Sequence, residues 1–122
     1  MSNTDRAAYL DRMSILNFLG KQASEAETAL QQLENEYSKL LADWELEEKV
    51  LSHLASIPTE GDENIYVRYM QALINCNKRF PTELRQLGKS IKRSKKQLDA
   101  LKDRIGRIRK IQVQEFENLG LL

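Results

Sequence analysis

Catalysis needs a nucleophile, a base or a metal ligand held in suitable company, and this chain supplies few of them. His53 is the only histidine and Cys76 the only cysteine. No Ser, Cys or Asp arrangement is brought to His53 by spacing, so it reads as a surface or seam-flanking residue. Cys76 reads as a small buried or half-buried thiol. The sequence contains no glycine-rich phosphate loop, no nucleophile elbow and no Cys/His set with metal-ligand spacing. Carboxylates are plentiful, but general acid–base work requires a cleft that desolvates one of them and shifts its pKa. The expected function is therefore non-enzymatic, with neither a cofactor nor a metal.

What stands out instead is charge. The stretch "LGKSIKRSKKQLDALKDRIGRIRKI", residues 87 to 111, is strongly basic in a chain of 122 residues whose formal net charge is only +1. The rest of the chain must therefore offset it, and distribution matters more than the total. Phosphate binding needs little more than a basic helix, yet this segment has no interleaved aromatic residues for stacking, which argues against a nucleic-acid partner.

The elements that position these charges follow from a heptad. Leu16, Leu19, Ala23, Ala26, Leu30, Leu33, Tyr37, Leu40, Trp44, Glu47, Leu51 and Leu54 follow one another in alternating steps of three and four. So do Leu73, Asn77, Phe80, Leu84, Leu87, Ile91, Ser94, Leu98, Leu101, Ile105 and Ile108. A mean spacing of about 3.5 residues keeps one stripe facing a partner helix, as in a left-handed coiled coil. Glu47, Asn77 and Ser94 are the polar exceptions, and polar groups in a seam more often set register than do chemistry.

Between the stripes lies "SIPTEGDEN". Pro58 removes a backbone donor, Gly61 permits a turn, and Thr59 or Asp62 can cap the following helix. The fold class is thus all-α, an antiparallel two-helix coiled-coil hairpin forming a single domain over residues 1–122. Helix one is expected over about 5–57, the loop over 58–63 and helix two over about 64–118. Pro81 predicts a kink in helix two, or else a break that gives a three-segment bundle. The tail is expected to fray after Gly120.

Two helices cannot enclose a core, so Tyr9, Ile15, Phe18, Leu41, Leu46, Val50, Tyr66, Tyr69 and Met70, all off the seam, have no intramolecular home and point to a partner chain. Folding about residue 61 sets residue i opposite roughly 122 minus i. Glu25, Glu27, Glu34 and Glu36 then face the basic run from Arg85 to Lys96, and Asp43, Glu45, Glu47 and Glu48 face Lys78 and Arg79. Lys102, Arg104, Arg107, Arg109 and Lys110 face residues 12 to 20, which supply Arg12 and no acid. That basic end is a candidate protein-docking surface. Trp44, Tyr66 and Tyr69, with Leu41 and Met70, form a candidate apolar patch near the tip, where exposed tyrosine is a favoured contact residue.

The segments "ETALQQLENEYSKLL" and "IYVRYMQAL", either side of the loop, resemble the FliJ/YscO family, the central stalk proteins of flagellar and type III secretion export machines. The resemblance covers roughly the middle third of the chain. It implies a cytoplasmic, non-enzymatic stalk with two protein partners, a hexameric secretion ATPase and an export gate protein. Arg104, Arg107, Arg109 and Lys110 would face the ATPase, while Leu41, Trp44, Tyr66, Tyr69 and Met70 would form the tip-side contact. A structural coiled-coil subunit or chaperone in another helical assembly is the alternative. The chain is expected to be a monomer or part of a helical hetero-assembly, without membrane insertion.

Overall fold

The computed structural model describes residues 3–58 and 61–120. Its architecture is all-α, an antiparallel two-helix hairpin: α1 spans Asn3–Ser56 and α2 spans Glu63–Asn118. Gly61 enters the second helix with φ of +93°, a left-handed backbone that glycine adopts without the Cβ penalty. Asp62 is the N-cap, its Oδ1 accepting the Asn64 amide at 3.1 Å. The alternative cap, Thr59, lies outside the described residues. At the far end Gly120, with φ of +71°, closes α2 as its amide donates to the Glu117 carbonyl. The fraying expected beyond Gly120 also falls on residues outside those described.

α2 runs unbroken through Pro81, so the three-segment alternative is overturned. Pro81 has no N–H to give to the Asn77 carbonyl. One residue on, the Thr82 hydroxyl donates to the Lys78 carbonyl at 3.0 Å. The phase of the seam continues across this point, and Phe80 and Leu84 on either side of the proline are both buried.

The helices pair in two compact units, residues 1–31 with 93–122, and residues 32–92. In the first unit Leu19, Ala23 and Leu98 are buried. Tyr9, expected to lack a home, packs against Phe116 with ring centroids 5.6 Å apart, and Gln112 donates to the Met13 sulfur. The seam therefore extends beyond the heptads that start at Leu16, and Tyr9 belongs to it.

The second unit is built around Phe80. Trp44 stacks on it with ring centroids 6.3 Å apart, and the Arg79 guanidinium sits 4.4 Å from its centroid. Asn77, the polar seam residue, is satisfied by the Trp44 indole N–H at 2.9 Å. Glu47 meets Arg79, as the folding about residue 61 expected: its carboxylate accepts from Arg79 at 2.9 Å, while Asn75 accepts from Gln71 in its own helix. Tyr69 and Met70, also expected to lack cover, are half-buried.

Cys76, next to Asn77, is buried. Desolvation pushes its thiol up from the ordinary value, the Glu47 and Glu48 charges add to that, and Arg79 opposes it. Thiolate is the reactive form. Cys76 is therefore expected to react with an aromatic disulfide reagent more slowly than the same thiol in the urea-unfolded chain. Because the folded pKa lies above the unfolded one, its contribution to stability is complete below the unfolded value and declines as pH rises through the folded value.

Candidate interaction surfaces

The register decides which charges meet. Folding about residue 61 sets Tyr9, Met13 and Tyr37 against residues 113, 109 and 85, but they meet Phe116, Gln112 and Gly88. Each contact lies three residues further along α2. In the first unit this lets Glu27 bridge Lys102 at 3.2 Å, so Lys102 is not without an acidic neighbour, as the simpler folding implied. Arg12, placed in the expected basic end, pairs with Glu115.

The same geometry explains why the remaining cations stay open. Arg109 stands one heptad beyond Lys102, and the residue one heptad before Glu27 is Gly20, which offers no carboxylate. Arg104, Arg107, Arg109 and Lys110 are all exposed, and none makes an ion pair among the described residues. Gly106 leaves a shallow depression of about 400 Å³ lined also by Lys102, Asp103, Arg107 and Lys110. By sequence the first unit holds eleven Lys and Arg against eight Asp and Glu, a net of +3, while the second holds eight against ten, a net of −2.

The proposed tip-side patch is only partly a surface. Trp44, Tyr69 and Met70 are half-buried in the hairpin, whereas Leu41 and Tyr66 are exposed. Tyr66 holds a seam phase, but the three-residue offset carries it past Ser56, the last residue of α1. It shares the exposed first turns of α2 with Ile65 and Val67.

Another surface in this unit lies on the flank of the seam. Leu40, Leu46, Val50, Leu51 and Phe80 line a groove of about 610 Å³ whose charged rim is Asp43, Glu47, Arg79 and Glu83. Leu46 and Val50 stand out as off-seam apolar residues four apart, the signal in the sequence that marks this flank. Asp43 and Glu83 became visible as its rim only once the helices were paired.

Among the described residues no group of three or more His, Cys, Asp and Glu could hold a metal, and no helix is long and apolar enough to cross a membrane. Comparison with family models, curated proteins and solved structures found no match to this chain.

Proposed function

We propose that this chain is a non-enzymatic coiled-coil stalk of a type III protein secretion or export apparatus, linking a cytosolic ATPase ring to the export gate. The observation that carries the reading is the row Arg104, Arg107, Arg109 and Lys110. It is exposed and makes no ion pair among the described residues, in the unit of an antiparallel helical pair that holds both chain ends. Such a row suits an acidic ring or groove, because charges at a rim steer encounter and set register. Leu41 and Tyr66, exposed in the other unit, are the contacts assigned to the gate, and Trp44, Tyr69 and Met70 are half-buried in the same unit.

The test is binding to a hexameric secretion ATPase at rising ionic strength. The native chain is expected to bind more weakly as salt rises. Changing Arg104, Arg107 and Arg109 together to Glu is expected to weaken binding on the order of tenfold or more. Binding unmoved by both salt and charge reversal would sink the docking reading.

A second reading, a structural subunit of another helical assembly, is favoured by one observation. Ile15, Phe18, Leu46 and Val50 remain exposed beside the seam. It predicts an obligate complex burying these residues, where the stalk reading predicts a hairpin stable in isolation.

A further inference from the structure

The paired helices of residues 32–92 leave a groove with an apolar floor of Leu40, Leu51 and Phe80. Leu46 and Val50, 64% and 48% exposed, stand four residues apart beside that floor. Large apolar side chains left open over an apolar floor and rimmed by charge mark an interaction site. The rim decides what kind of partner fits.

Where charges of the two helices bridge, they are opposite: Arg12 with Glu115, Glu27 with Lys102, and Glu47 with Arg79. The turn next to the last of these breaks the pattern. Four residues back along α1 from Glu47 and four on along α2 from Arg79, the antiparallel register sets Asp43 opposite Glu83. Both line the groove, and neither makes an ion pair among the described residues. Lys39, one turn before Asp43, and Lys49, three residues beyond Leu46, make none either. Lys78 and Arg85 each follow a seam residue, which puts them on the other flank of α2, outside the groove lining. The layer of Asp43 and Glu83 thus sets two carboxylates opposite each other and pairs neither with a cation of the described residues.

We infer that the groove receives an amphipathic helix of an unlike protein, with an apolar stripe edged by Lys or Arg. A helix suits the shape, because the groove follows three turns of α1 from Leu40 to Leu51, roughly 16 Å of helix. Flanking charges in a coiled coil choose the partner, and two acids facing each other call for a cation from outside the pair. A basic side chain of the partner sits between Asp43 and Glu83, and its apolar residues cover Leu46 and Val50, one and two turns further along α1. A helix edged with Glu or Asp would meet like charge there and is rejected. The inference does not rest on the stalk reading, since the groove shares no residue with the contacts assigned to the ring or the gate.

The experiment titrates the full-length chain with two synthetic amphipathic peptides that lack tryptophan. Both carry a leucine stripe at helical spacing, edged with lysine in one and with glutamate in the other. Emission of Trp44, which stacks on Phe80 in the floor, reads occupancy, and circular dichroism confirms the helicity of every variant. The native chain is expected to prefer the lysine-edged peptide by about tenfold or more. Asp43→Lys combined with Glu83→Lys is expected to reverse that preference. Leu46→Asp adds negative charge yet is expected to weaken the lysine-edged peptide by about tenfold, which separates seating in the groove from attraction to acidic surface at large. Equal binding of the two peptides, binding of neither, or binding that Leu46→Asp leaves unchanged overturns the inference. So does sedimentation of the pure chain at a mass above the monomer that Leu46→Asp returns to the monomer, since a second copy then fills the groove. These variants keep Arg104, Arg107 and Arg109, so their binding to the ATPase tests the stalk reading separately.

Discussion

Replacing Phe80 with alanine is expected to lower the unfolding free energy by about 3–5 kcal/mol, the range found when a buried aromatic ring is removed. Phe80 is 3% exposed, and three neighbours depend on it. Trp44 loses its stacking partner, Arg79 loses the ring beneath its guanidinium, and the groove loses part of its floor. A two-helix pair has little material with which to refill such a gap, so relaxation recovers little. Urea unfolding followed by circular dichroism measures the effect, with the midpoint falling and the denaturant slope preserved. Phe80→Leu is expected to restore more than half of the loss. A drop below about 1 kcal/mol for the alanine variant would mean that the ring is not the packing centre of this unit.

The second large effect is at Leu19, the most deeply buried large side chain of the first unit, at 2% exposed. Leu19→Ala is expected to cost about 2–5 kcal/mol, through lost transfer energy and the cavity left behind. Its neighbour Phe18 is the larger residue but points away from the seam. At concentrations where the chain is monomeric, Phe18→Ala is expected to change stability by no more than about 0.5 kcal/mol. The contrast between adjacent positions tests the heptad phase itself. Equal losses at both would show the helix to be rotated from the phase described.

Much of the fold was legible because a coiled coil writes its contacts along the chain. Every seam position read from the three-four steps is buried or half-buried except Asn77, and Asn77 is paired with Trp44 across the seam. Asp62 was legible as a cap because the helix start demands an acceptor two residues upstream of a free amide. The stagger was not legible. Which residue of α1 meets which of α2 depends on how side-chain layers interlock, and folding about a loop glycine is blind to that. An error of three residues moved Lys102 from isolation to a bridge with Glu27 and left Tyr66 beyond the end of α1. The groove was hidden for the same reason, since Leu46 and Val50 meet Phe80 and Glu83 only through pairing. Tyr9 was misread because the seam was begun too late, at Leu16, although Phe116 waits opposite.

The stacked pair of Trp44 and Phe80 also makes the protein its own optical instrument. The chain has a single tryptophan, so indole emission comes from one layer of one unit. That indole donates its N–H to Asn77 and lies against the ring that floors the groove. Whatever settles over Leu46 and Val50 changes the polarity and freedom of this layer, and the emission maximum and anisotropy will register it without a label. Wetting of the same layer during unfolding shifts the emission to the red, so one signal follows both occupancy and integrity of the second unit.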